Sequence, residues 1–235
     1  MCELHLFALS PNLPLVSSYF VHVFKNTSSF FKATYILARL ETPGYSDARS
    51  ICTRALRYPI CGRTVFEIIC RLLKDYKKLP VKLPRRLFRS LLPPNEREWS
   101  DQDYPLPFLR DIYGTPNLQV IKVNDHGYAL TKAVRAQFKS LVKFLLDKGA
   151  SPKFEDGIAV KIAIRLQDLD MFKMLAQSWP DIKSRDMWIA KSMMDIAILS
   201  DARDIVDFYR EEGVVPNMAS LKNLATTCIL GLRKK

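Results

Sequence analysis

The stretch DHGYALTKAVRAQFKSLVKFLLDKGASP, residues 125–152, decides how the rest of the chain reads. Ala129, Leu130, Ala133 and Val134 recur at helical spacing, the pattern breaks near Gln137, and Leu141, Val142, Phe144, Leu145 and Leu146 predict a second helix that Gly149 ends. Counted from Ala133, Leu141 and Val142 stand at +8 and +9, Leu145 at +12, Gly149 at +16 and Pro152 at +19. The same measure from Ala197 meets Ile205 and Val206, Tyr209, Gly213 and Pro216. From Ala163 it meets Met171, Phe172 and Leu175, and then finds Trp179 where the others have glycine. Such recurrence predicts helix–turn–helix layers, each burying its apolar face on the next. The key alanines lie 30 and then 34 residues apart, so an insertion falls in residues 179–187.

The pattern resembles the ankyrin repeat, whose consensus runs roughly D-G-x-T-P-L-H-x-A-A-x-x-G-x-x-x-x-V-x-x-L-L-x-x-G-A. Ala129-Leu130-Thr131 stands for P-L-H, Ala133-Val134 for A-A, Leu145-Leu146 with Gly149-Ala150 closes the unit, and Asp156-Gly157 opens the next. No copy has the family histidine, and Ile158 or Ser192 replaces threonine in later copies. The resemblance covers Lys122 to about Asn217, with Ser220–Leu232 expected as a capping helix or helix pair. It implies an α-solenoid that binds partners through its turn tips and the exposed face of its inner helices. The matching tips are Lys122, Asn124 and Asp125, then Lys153, Phe154, Glu155 and Asp156. The matching inner-helix positions are Arg135/Ala136, Arg165/Leu166 and Leu199/Ser200, with Arg135 and Arg165 forming a positive stripe suited to an acidic ligand.

Outside this block the sequence is helical but keeps a different measure. Helices are predicted over Ser29–Leu40 with a cap in Asn26-Thr27-Ser28, over Asp47–Tyr58, over Val65–Tyr76 capped by Thr64, and from Pro84 through Leu92. These are expected to pack on the first repeat as its cap. Residues 4–24 lack charge, but Pro11, Asn12, Pro14, Ser17, Ser18 and His22 interrupt them and no basic residue precedes them, so a buried lead-in is expected over a signal or anchor. Cys2, Cys52, Cys61, Cys70 and Cys228 form no CxxC pair, which predicts reduced thiols and an intracellular protein, nuclear or cytoplasmic.

Charge divides the chain. Residues 1–92 carry fifteen Lys and Arg against five Asp and Glu, whereas the remaining 143 carry twenty-one against nineteen. Arg71, Lys74, Lys77, Lys78, Lys82, Arg85, Arg86 and Arg89 crowd the middle of the excess, a surface that would attract nucleic acid or another polyanion. Residues 93–117 contain five prolines and Trp99, Tyr104, Phe108 and Tyr113, which predicts a connector pinned by its aromatics.

Catalysis finds no support: His5, His22 and His126 are scattered, and GxSxG, GxxxxGK[ST] and GxGxxG are all missing. The expectation is therefore an all-α protein with a basic helical block over 1–92, a proline-rich connector over 93–117 and an ankyrin-like array over 118–235. Its expected role is that of a non-catalytic scaffold or adaptor, monomeric alone, without metal or cofactor, binding a protein partner and not a membrane. The alternative is a nucleic-acid- or chromatin-associated factor using residues 49–89.

Overall fold

The computed structural model describes residues 18–19, 22, 26–40, 51–73, 79–92, 98–115, 118–120, 125–183 and 188–216. It is mostly helical, and its chain sorts into two compact units. The first comprises Met1–Leu87 with Tyr104–Val123, the second Phe88–Asp103 with Asn124–Lys235. These boundaries differ from the sequential ones at 92 and 117: residues 93–103 of the expected connector fall in the second unit and residues 104–117 in the first.

In the first unit, α1 (Ser29–Leu40) packs on α2 (Ile51–Ala55) and α3 (Arg63–Leu72). The Ser28 hydroxyl accepts from the Phe31 amide at 3.2 Å, as a capping residue should. Ala33, Ile36, Leu37 and Leu40 form the buried stripe of α1, and Val65, Phe66 and Ile69 that of α3. Helix α3 starts one residue before Thr64, with extended Gly62 as its N-cap, so the expected threonine cap is not made. Strand β1 (Leu79–Val81) pairs in parallel with β2 (Leu118–Val120), a short addition to the helical plan. One turn, α4 (Arg86–Arg89), follows β1, and the first segment of this unit ends within it at Leu87.

Residues Leu106–Gly114 form a further helix, α5, where no helical period was expected. Pro107 sits in its first turn, where a missing amide hydrogen costs nothing. Phe108, Leu109 and Ile112 are buried, Phe66 and Phe108 meet edge to face at 6.1 Å, and Arg63 reaches Asp111 at 2.9 Å to tie α3 to α5.

Among the described residues the second unit has three helix pairs: α6 (Asp125–Arg135) with α7 (Lys139–Asp147), α8 (Phe154–Arg165) with α9 (Leu169–Gln177), and α10 (Trp188–Leu199) with α11 (Arg203–Glu211). The first helices touch in the order α6, α8, α10, and the second in the order α7, α9, α11, so the pairs lie in layers. The residues at 0, +1, +8 and +12 are buried in every layer; at +9, Val142 and Phe172 are buried and Val206 is partly exposed.

The turns within the pairs repeat bond for bond. Gln137, Gln167 and Asp201, each four past the key alanine, have φ of 55°, 55° and 52°. Their amides donate to Val134, Ile164 and Ile198, and the next amides, of Phe138, Asp168 and Ala202, donate back to Ala133, Ala163 and Ala197. This is the paired C-terminal cap that a left-handed residue permits. Gly149 and Gly213 close the first and third layers in the same way. In the second, buried Trp179 replaces that glycine and leads into a 3-10 turn at Pro180–Lys183.

Two glycines are fixed by contact. A Cβ on Gly157, which has φ of 74°, would lie 2.7 Å from the Trp179 ring and 2.9 Å from the Met193 methyl. A Cβ on Gly127 would overlap the Phe154 ring.

Candidate functional site

The repeated turn follows the first helix of each pair at the same offset from the key alanine, so the exposed positions of these helices are compared offset by offset. At about 100° per residue, offsets −2 and +2 lie within roughly 40° of each other and opposite the buried offsets −4, −3, 0 and +1. In α6 these positions are Thr131 and Arg135, in α8 Lys161 and Arg165, and in α10 Asp195 and Leu199. Arg135 and Arg165 are exposed, as are Leu166 at 39% and Leu199 at 67%. Lys132 gives α6 a second basic group beside Arg135, its ammonium 5.9 Å from the Tyr128 ring centroid.

Among the described residues, Arg135, Lys161 and Arg165 have no ion-pair partner within 4.0 Å. Elsewhere in the second unit Lys139 lies 3.1 Å from Asp170 and 3.5 Å from Asp168, and Lys153 lies 2.7 Å from Asp181. The hydrogen bond to Asp170 holds the Lys139 ammonium above the ordinary lysine range, and Lys153 holds the exposed Asp181 carboxyl below its usual value.

The expected turn-tip residues meet different fates. Lys122 and Asn124 lie outside the described residues, as does the side chain of Asp125. Lys153 is engaged by Asp181 and by the Trp179 ring at 6.0 Å, and Phe154 seats over Gly127, so neither is an idle contact residue. Glu155 and Asp156 are exposed, with left-handed backbone leading into Gly157. Ala136, expected on the exposed inner face, is fully buried. Its carbonyl accepts the Trp99 indole N–H at 2.6 Å, while that indole stacks on Phe138 at 4.8 Å and 9°. A segment read as connector thus seals the first inner turn. Beside it Glu98, Trp99, Gln137, Lys139, Ser140 and Asp168 line an open cleft of about 460 Å³.

The basic block is partly spent on structure. The Arg86 guanidinium donates to the carbonyls of Leu56 and Cys61, and burial lowers its pKa. Its donors already close the 56–61 turn, unlike those of the exposed members of the expected patch. Arg71 is exposed and lies 3.9 Å from Glu67; Lys82, Arg85 and Arg89 are exposed; Lys74, Lys77 and Lys78 lie outside the described residues.

The thiols Cys52, Cys61 and Cys70 are free. A hydrogen bond between Cys52 and Cys70 raises the first and lowers the second, and burial pushes Cys61 up to about 12. Among the described residues, no group of three or more His, Cys, Asp or Glu is placed to hold a metal ion, and no helix is long and apolar enough to cross a membrane. Residues 4–24 lie almost wholly outside the described set, as does the expected capping segment Ser220–Leu232.

Comparison of the chain with protein-family models, curated proteins and solved structures gives no match. Lys161 went unremarked in the sequence reading. The available signal was its i,i+4 spacing to Arg165, which puts both on one helix face.

Proposed function

We propose that residues 125–216 form an ankyrin-like solenoid and that the chain is a non-catalytic adaptor or scaffold, docking a protein partner on the exposed face of α6, α8 and α10. The observation that carries this reading is the recurrence of one left-handed turn at Gln137, Gln167 and Asp201, with the inner helices touching in sequence. Repetition of that turn lines up side chains from segments 30 and 34 residues apart, as a docking surface requires and a packed core does not. On this face Arg135 and Arg165 are exposed without an ion-pair partner among the described residues, and Leu166 and Leu199 are exposed beside them, groups whose desolvation by a partner is favourable when charge is matched.

The test is recovery of proteins by the full chain, compared with Arg135→Glu/Arg165→Glu and with Lys82→Glu/Arg85→Glu/Arg89→Glu. A protein retained by wild type and by the triple variant but lost from the double variant supports docking on the inner helices. The second reading, polyanion binding by residues 49–89, draws on their twelve basic residues against two acidic ones. It predicts nuclease-sensitive recovery that weakens steeply with salt and is lost from the triple variant instead.

A further inference from the structure

We propose that the partner segment seated on this face is acidic and carries a large apolar side chain about one layer away from its carboxylates. The inference rests on the docking reading above and adds the partner's chemistry. Beyond its first turn, α6 has Lys132 and Arg135 and no acidic residue; beyond Gly157, α8 has Lys161 and Arg165 and no acidic residue. None of these four cations has an ion-pair partner within 4.0 Å among the described residues, and Lys161 and Arg165 are like charges one helical turn apart. Two such layers side by side repel one another, and a carboxylate laid across them removes that cost; guanidinium groups also take carboxylates with two parallel hydrogen bonds.

The character of the face then changes. Leu166 at 39% exposure borders the second layer, and Leu199 at 67% occupies in the third layer the place that Arg135 and Arg165 hold in the first two. Asp195 precedes Leu199 by one turn, so continued acidity in the partner is disfavoured there while an apolar side chain is favoured. Helix axes in contact lie about 8–10 Å apart. The partner's carboxylates and its apolar anchor are therefore separated by about three residues in an extended segment, at roughly 3.3 Å per residue, or by about six in a helix at 1.5 Å.

Display of random peptides long enough to span three layers, selected on the full chain and counter-selected on Arg135→Glu/Arg165→Glu, tests this directly. The expected peptides are rich in Asp and Glu, place a large apolar residue at one of those two spacings, and bind the double variant about tenfold or more weakly. Leu199→Ser should weaken the same peptides without changing the thermal midpoint of the free protein, because that leucine is exposed. Enrichment of neutral or basic peptides that depend on Arg135, Arg165 and Leu199 would overturn the acidic assignment and leave the docking face standing. Enrichment of peptides that bind the double variant and Leu199→Ser as tightly as wild type, or of none that discriminates, would overturn both.

Discussion

The two units solve the same problem, ending helices and turning the chain, by opposite means. In residues 125–216 one device recurs: a left-handed residue four past the key alanine, two returning amide bonds, and a buried position at +12. In the first unit each corner has its own solution. The Arg86 side chain closes the 56–61 turn, the Lys82 amide donates to the buried Thr53 hydroxyl at 2.9 Å, and β1 meets β2 over three residues. Repetition leaves side chains free because the backbone does the capping; individual solutions consume them. Arg135 and Arg165 are exposed, whereas Arg86, in the more basic half, is committed.

The strongest way to break this contrast is at the second layer, where the repeat is already imperfect. Gly157→Ala places a methyl against Trp179 and Met193 in a left-handed backbone, and should cost about 3 kcal/mol, left-handed strain and overpacking each contributing. A denaturant midpoint close to wild type would mean that Trp179 can yield. In the first unit, Arg86→Met should cost about 2 kcal/mol by leaving the Leu56 and Cys61 carbonyls without their charged donor. Leu199→Met, on the exposed face, should shift the same midpoint by no more than about 0.5 kcal/mol.

Tyr209 sharpens the comparison in the opposite direction. It occupies the +12 site held by Leu145 and Leu175, is fully buried, and among the described residues its hydroxyl has no hydrogen-bond partner. Tyr209→Phe should therefore stabilise by about 1 kcal/mol at neutral pH. Burial raises the Tyr209 pKa above its ordinary 10, so the folded state holds this proton more tightly than the unfolded state does. Its contribution is fully present below pH 10 and is lost as pH rises beyond it. The phenylalanine variant should accordingly lose less stability between neutral and strongly alkaline pH, and parallel profiles would contradict the assignment.

A small gain is expected at the turn itself. Gln137→Gly relieves a left-handed side chain at an exposed position and should gain about 0.5 kcal/mol after the entropy of glycine is set against the strain. Gln167→Gly should gain less or lose, since that side chain donates to the Ser200 carbonyl at 2.8 Å and ties the second turn to the third. Equal gains at both positions would mean that the interlayer bond contributes nothing.

What the sequence revealed follows the same division. The helices of all three layers were legible because their apolar offsets recur, and Ser29–Leu40 because its stripe and its Ser28 cap agree. The left-handed turns were visible only as a break, since a glutamine does not announce positive φ as a glycine would. Helix Leu106–Gly114 was obscured by Pro105, Pro107 and Gly114, which read as breakers although each stands at or near an end where it is tolerated. Strands of three residues, one containing Pro80, offer no period to detect. Four aromatics in residues 93–117 signalled attachment to a surface, but that Trp99 lands on Phe138 is a tertiary fact that local pattern does not contain. Of the candidate site, Arg135 and Arg165 were recoverable by analogy, whereas the commitment of Lys153, Phe154 and Arg86 depended on residues far away in sequence.

Hydrogen–deuterium exchange of the full chain, with and without a selected peptide bound, tests the central claim most directly. Docking on the layered face predicts slowed exchange in the inner helices over residues 128–136, 158–166 and 191–200, with the outer helices and residues 51–92 unchanged. Protection confined to residues 51–92, or to the outer helices, would contradict it.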